Sequence, residues 1–309
     1  MKKPELLVTP TDVAAVEPLV KAGADAILIG EQRYGLRLAG EFTKQDVQKA
    51  TVIAQELGAK VYVAMNAIFH NEKVDMLAEY VRFLRDTGID GIVFGDPAVL
   101  MTVREVAPNM KLHWNTETTA TNWYTANYWG RKGAKRAVLA REISMDAIVE
   151  IKEHAEVEIE VQVHGMTAMF QSKRKLVGNY MEFQGKNLEV ENRDKKRNMF
   201  LYDPEREAKY PIFEDENGTH IMSPNDICII DELEDMIDAG IDSFKIDGIL
   251  KTTEYMEKVT SLYRQAIDLC ADDREAYEEK KEDFIEEIEA IQPVNRSIDT
   301  GFFFKETVY

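Results

Sequence analysis

The chain has 309 residues, enough for one large domain or two ordinary ones, and its 45% hydrophobic and 30% charged residues are ordinary for a soluble globular protein. Its formal net charge of −18 works against broad electrostatic capture of nucleic acid. The N-terminal apolar run is too short for a signal segment, and no stretch approaches a membrane span, so a cytoplasmic protein with no membrane contact is expected.

Strand and helix signals alternate from the first residues. Short apolar runs rich in Val, Ile and aromatics predict strands at 5–9, 26–30, 60–66, 91–96, 111–117, 136–142, 157–165 and 243–248. Helical spacing falls between and after them, at 11–22, 43–57, 72–87, 97–106, 121–131, 144–153, 225–239 and 252–269. Thr43 and Ser144 each place a capping hydroxyl ahead of an early acid, and Pro97 suits a first helical position. Glycines 23, 58, 88 and 240 follow helical runs, where a left-handed residue returns the chain to a strand.

Eight βα units with strands apolar on both faces predict an α/β fold, a TIM-like (β/α)8 barrel. A dinucleotide-binding sheet is excluded by the lack of a Gly-x-Gly-x-x-Gly after the first strand. The alternation breaks once, in a long polar and basic insertion at 166–224 after strand seven. It should emerge on the face where barrel enzymes keep their sites. The barrel domain is thus expected over 1–270, followed by an acidic helix and tail over 271–309.

Charge is uneven along the chain. Residues 271–290 hold ten acids against three bases, and 166–198 hold eight bases against four acids. A second basic run is Arg131, Lys132, Lys135 and Arg136. Solvated faces are the plainer reading of such runs, and binding patches the alternative. Cys228 and Cys270 read first as buried small hydrophobes, with a disulfide or half of a metal site as alternatives. Two cysteines alone cannot build a four-thiolate cluster.

Polar groups collect at the strand ends: Glu31 and Arg33 after strand two, Asn66 after three, Asp96 at four, Asn115 and Glu117 at five. Arg141 and Glu142 close strand six, His164 closes seven, and Lys245 and Asp247 lie at eight. Each alone suits a structural hydrogen bond, but together they suggest a site at the barrel mouth. His164 carries the most weight, because a neutral imidazole serves as acid, base or ligand near neutral pH. Gly165 after it permits close backbone approach to a ligand, and a histidine tethering the long loop is the alternative. No Gly-x-Ser-x-Gly or His-Glu-x-x-His occurs, and Ser172 and Ser223 have no evident partner, so a conventional protease is unsupported. Trp114, Trp123 and Trp129 lie in an aromatic-dense stretch that suits packing better than base stacking.

The sequence resembles the U32 family, historically called collagenase-like peptidases. The resemblance rests on residues 30–37 (Gly-Glu-Gln-Arg-Tyr-Gly-Leu-Arg), Asn115-Thr116-Glu117 with Asn122, Leu139-Ala140-Arg141-Glu142 and Val161-Gln162-Val163-His164-Gly165. It continues through residues 223–228 and 239–248 to Asn295-Arg296 and Thr300-Gly301-Phe302-Phe303-Phe304. It implies a barrel and, in several members, a [4Fe–4S] cluster on four cysteines around the loop after strand seven. It also implies oxygen-independent hydroxylation of nucleic-acid bases or quinones, with prephenate as hydroxyl source, including 5-hydroxyuridine at the tRNA wobble position. This chain departs from the cluster pattern, with Ala168 and Lys175 at two cysteine positions and no cysteine in 192–198. Cys228 corresponds at most to the fourth.

The resemblance therefore points to a cluster-free member working beside a cluster-bearing paralogue, with no iron–sulfur cofactor of its own. Its basic insertion would meet tRNA, and its mouth would hold an anionic small molecule near Arg33, Arg37 and Arg141. The candidate catalytic set is His164, Arg141, Glu142, Lys245 and Glu117. The candidate substrate-binding set is Glu31, Arg33, Arg37, Asn66, Asp96 and Asn115. A peptidase, or a non-catalytic subunit that stabilises a partner, are the competing expectations.

Overall fold

The computed structural model describes residues 2–116, 119–186, 199–294 and 296–305. Seven strands follow in chain order: β1 (Glu5–Val8), β2 (Ala26–Ile29), β3 (Lys60–Met65), β4 (Gly91–Phe94), β5 (Lys111–Trp114), β6 (Arg136–Val138) and β7 (Glu158–Gly165). The insertion supplies β8 (Ala168–Ser172), β9 (Phe200–Asp203), β10 (Ala208–Asp215) and β11 (Gly218–Met222). Then come β12 (Asp226–Cys228), β13 (Ser243–Ile246) and, near the C-terminus, β14 (Ile298–Asp299).

β1 to β7 pair in parallel in sequence order, and β13 pairs in parallel with both β1 and β7. The sheet therefore closes into the expected eight-stranded barrel. Along each strand, alternate residues face opposite sides. Leu6, Val8, Ile27, Ile29, Val61, Val63, Ile92 and Phe94 pack outward beneath the helices, while Leu7, Ala26, Leu28, Tyr62, Ala64 and Val93 form a separate inner cluster. Helix Lys44–Glu56 starts with a capping box of Thr43 and Asp46, and helix Pro97–Val106 is capped by Asp96. The 20-residue helix Thr253–Asp272 buries Tyr255, Val259, Leu262 and Tyr263 on one face.

The lower end of the barrel is filled by charge. Arg136, in the basic run read as a solvated face, is only 3% exposed. Its guanidinium reaches Glu5 at 2.7 Å, Glu158 at 2.8 Å and Glu160 at 3.2 Å. The sequence reading failed there because strand β6 points Arg136 inward, where three carboxylates offset the cost of burying it.

Three further expectations are corrected. The insertion contains a folded four-stranded antiparallel sheet in the order β8-β11-β10-β9, with helix Leu176–Phe183 beside it. Glu216 and Asn217 make the β10–β11 turn, and Gly218 takes the left-handed conformation that only a residue without Cβ adopts cheaply. The span 225–239, expected as one helix, begins as β12, antiparallel to β7, and ends in the short helix Glu234–Asp238. Its Ile-Cys-Ile-Ile run is β-branched and buried, and pairing with β7 outcompetes the helical spacing. The span 72–87 is likewise divided into helices Asn71–Val74 and Leu77–Thr87.

Trp129 stacks on Trp114 with ring centroids 5.3 Å apart, and Trp123 on His154 at 5.4 Å, so these rings pack as expected. The C-terminal helix Arg274–Ile291 turns Tyr277, Phe284 and Ile288 inward and its acids outward. After it the chain returns along the barrel, where β14 pairs with β12. Among the described residues no helix is long and apolar enough to cross a membrane.

Candidate functional site

At the C-terminal end of the barrel lies an open cavity of about 540 Å³, with a void of about 20 Å³ beneath it that shares several of its walls. Six of the residues singled out in the sequence line the cavity: Arg37, Asn66, Asp96, Asn115, Arg141 and Glu142. Lys245 lines the void below, together with Asp247.

Arg37 comes from the loop after β2 and has a φ of 49°, a left-handed backbone that costs a non-glycine residue about 1–3 kcal/mol. Its guanidinium donates to Gln171 Oε1 at 2.8 Å, tying the barrel to strand β8. Arg141 Nε donates to Gln162 Oε1 at 2.6 Å. Gln162 Nε2 in turn donates to the Met166 carbonyl at 2.9 Å, so the inward face of β7 fixes the second guanidinium. Lys245 Nζ on β13 lies 2.9 Å from Oδ2 of Asp247, the residue after that strand, and the pair is almost wholly buried. Asn66 Oδ1 accepts from the Leu36 amide at 2.9 Å and holds the Arg37 loop in place. Asp96 accepts from the amides of Ala98 at 2.8 Å and Phe69 at 3.2 Å, so its carboxylate organises the rim. A side chain at Gly95 would meet the Asn115 carbonyl at 2.9 Å, so glycine there lets two strand ends converge.

The other candidates are elsewhere. His164 is fully buried behind the barrel wall, with Nε2 2.7 Å from the Tyr255 hydroxyl and its ring edge-on to Tyr263. A register shift between β13 and β7 near this point breaks the simple alternation that would have turned it inward. Burial pushes its imidazole down to about 3, so it is neutral at physiological pH. Gly165, expected to approach a ligand, approaches the Asp247 carbonyl, which an added Cβ would meet at 2.3 Å. Glu31 is half-buried away from the cavity lining, its carboxyl raised by burial, and Arg33 is exposed outside it. Glu117 lies outside the described residues, as do the basic run 192–198 and Asn295.

Sequence reasoning missed the wall that the insertion builds. Thr167, Ala168, Met169, Phe170 and Gln171 line the cavity along β8, and Phe302 joins them from the C-terminal segment. Only the position of the insertion, directly after the strand-seven terminus, signalled this.

Beside His164 lies a second polar cluster. Asp226 on β12 is fully buried and accepts from Arg296 at 2.6 and 2.8 Å and from Lys251. Burial raises the Asp226 carboxyl, but Lys251 and Arg296 outweigh it and hold the group below the usual range. Burial lowers Lys251 to about 8. Arg296 also donates to the carbonyls of Ser223 and Pro224, so the cluster clasps the C-terminal segment to the end of the insertion.

The residues do not fit an iron–sulfur cluster. At two positions where the family resemblance implies thiolates, Ala168 and Lys175 offer a methyl group and an ammonium. Cys228 and Cys270 are free and buried. Cys228 Sγ packs 3.6 Å from the Tyr263 hydroxyl, and burial pushes its thiol up to about 12, the reverse of what a metal-binding thiolate needs. The hydrogen-bond donors at the mouth are guanidinium, ammonium and amide groups, with the carboxylates of Asp96 and Glu142 on the same lining. Two anchored guanidiniums beside asparagine amides suit a small anion bearing carboxylates, which Arg engages in a planar, paired geometry.

The family model for peptidase family U32 matches residues 11–308. The tRNA hydroxylation protein P2 of Bacillus subtilis (strain 168) is 71% identical over 309 residues, covering 100% of both chains. The tRNA hydroxylation protein P1 of the same organism is 36% identical over 303 residues, covering 98% of this chain and 71% of that one. The tRNA hydroxylation protein P of Escherichia coli (strain K12) is 30% identical, covering 88% and 69%. Among solved structures, the U32 peptidase Mk0906 aligns with a TM-score of 0.51 at 16% identity, over 80% of this chain and 94% of that one. A dihydrodipicolinate synthase aligns with a TM-score of 0.51 at 10% identity, over 95% and 86%. At such identities these structures speak to the barrel fold alone.

Proposed function

The chain belongs to peptidase family U32, and from that premise we propose that it serves in tRNA hydroxylation, forming 5-hydroxyuridine at the wobble position beside a cluster-bearing P1-type paralogue. The observation that carries the reading is the full-length, 71% identity to a tRNA hydroxylation protein P2. In this reading the mouth cavity holds the small anionic co-substrate, of which prephenate is the candidate, through Arg37 and Arg141. Asn66 and Asn115 supply neutral polar contacts, and the Lys245–Asp247 pair sets the charge of the floor. Glu142 faces the same space and is the candidate acid–base group there. His164 takes a positioning role, holding β7 to helix Thr253–Asp272 through Tyr255.

A peptidase reading finds less support. Ser223 Oγ donates to the Asn225 carbonyl at 2.6 Å and accepts from the Thr167 amide at 3.0 Å, and Ser172 Oγ accepts from the Arg174 amide at 3.2 Å. Both serines are engaged with backbone, where an activated nucleophile needs a side-chain base. The test is mass spectrometry of tRNA nucleosides from a strain lacking this chain. Loss of 5-hydroxyuridine, restored by the chain on a plasmid, is expected, and unchanged nucleosides in a strain that also lacks the P1-type paralogue would overturn the proposal.

A further inference from the structure

Two exposed aromatic rings at the mouth stand apart from the cationic and amide groups of the proposed anion site. Phe170 on β8 is 48% exposed and Phe302 in the C-terminal segment is 46% exposed, yet both line the same cavity. They are anchored independently. Phe170 pairs across the sheet with Ile221, and its neighbour Gln171 is held by Arg37. Phe302 sits on a turn in which Phe303 donates to the Thr300 carbonyl, while the buried Phe303 ring and its carbonyl bond to the Met145 amide fix the backbone. Gly301 in that turn approaches Ile227 so closely that an added Cβ would lie 3.0 Å from it, so the segment is seated tightly.

We infer that Phe170 and Phe302 form a clamp for a single nucleobase that leaves its stack and enters the mouth, which makes them substrate-binding residues of the proposed tRNA reaction. Enzymes that act on a base take it from a single strand or extrude it from its stack, and they hold it between apolar or aromatic side chains. A base has an aromatic face whatever its identity, so rings on two separate walls receive it without further reorganisation. The surroundings have the matching charge. Strand β8 runs directly into Lys173, Arg174 and Lys175, all exposed, and Lys305 Nζ lies 5.2 Å from the centroid of the Phe302 ring. In a chain of net charge −18, this places cations at the rim, where phosphates flanking an extruded base would pass.

The inference rests on the tRNA reading, and its test separates the two. The full chain, alone and with a P1-type partner, is titrated with an anticodon stem–loop RNA and with the same RNA lacking the wobble base. Intact RNA should bind more tightly than the abasic form. Phe170→Ala and Phe302→Ala should each weaken intact RNA roughly five- to hundred-fold while leaving abasic RNA unchanged. Phe302→Tyr should restore binding, and melting curves of all variants should overlay the parent. Equal binding of the two RNAs, or full affinity in the alanine variants, overturns the clamp. If no RNA binds while cellular 5-hydroxyuridine still depends on the chain, the clamp fails and the functional proposal stands. If that modification also persists in a strain lacking both the chain and the P1-type paralogue, both fail.

Discussion

Replacing Asp226 by Asn removes one buried negative charge and leaves the shape of the site intact. In the parent, that carboxylate faces two cations that are themselves almost wholly buried, Lys251 and Arg296. Removing one partner of a buried pair costs about 3–5 kcal/mol, because the remaining charge is left uncompensated. Lys251 can escape by losing its proton, since burial already lowers it to about 8, but the guanidinium of Arg296 cannot. The loss is a large share of a domain stability of about 5–15 kcal/mol. With an unfolding entropy of about 2.1 cal/mol/K per residue, 309 residues give about 0.65 kcal/mol/K, so Tm should fall by about 5–8 °C. The pH dependence has a definite sign. Asp226 has a lowered folded pKa, so its contribution is present above the unfolded carboxylate value and is lost as pH falls through the folded one. Lys251 also has a lowered folded pKa, so the unfolded chain binds the extra proton and the Lys251 contribution to parent stability rises from about pH 8 toward 10.5, a component absent from a Lys251→Met variant. Chemical denaturation followed by circular dichroism at several pH values measures both effects. A loss below about 1 kcal/mol at pH 7 would refute the view that this cluster clasps the C-terminal segment.

Three further outcomes follow from the same geometry. Arg141→Ala should weaken binding of a small dicarboxylate roughly tenfold to hundredfold, the worth of a hydrogen bond to a charged group, with little change in Tm; isothermal titration checks this. Both cysteines should resist a thiol reagent at pH 8 in the folded protein and react fully in denaturant, since burial raises Cys228 to about 12 and Cys270 to about 11. The depressed His164 makes the unfolded chain the stronger proton binder below pH 6.5, so stability should fall as pH drops from there toward 3, and His164→Gln should flatten that limb of the denaturation profile.

The barrel was legible because its eight strands are short apolar runs between helices that carry their own caps, as at Thr43 and Asp96. That the strand-end polar residues from β3 to β6, Asn66, Asp96, Asn115 and Arg141, would line one cavity was legible because parallel strands bring their C-terminal ends to one face. His164 was misplaced because a one-residue irregularity in pairing reverses a side chain, and nothing local in Val163-His164-Gly165 announces it. Arg136 was read as surface because its carboxylate partners Glu5, Glu158 and Glu160 are contributed by other strands. The insertion sheet was hidden by its composition: β9 and much of β10 carry exposed or half-exposed residues, so their alternation reflects no single buried face. Phe302 stands next to its site only because the chain returns across the barrel after its last helix, a long-range event without a sequence signature.

In the proposed function, tRNA hydroxylation runs through the mouth of this barrel. The direct measurement is 5-hydroxyuridine content, by nucleoside mass spectrometry, in a strain lacking the chain and complemented with the parent, Arg141→Ala or Lys245→Met at matched protein levels. The parent should restore the modification, and both variants should leave it at or near the level of the deletion. Full restoration by both variants would contradict the account and leave the barrel as a scaffold for its partner.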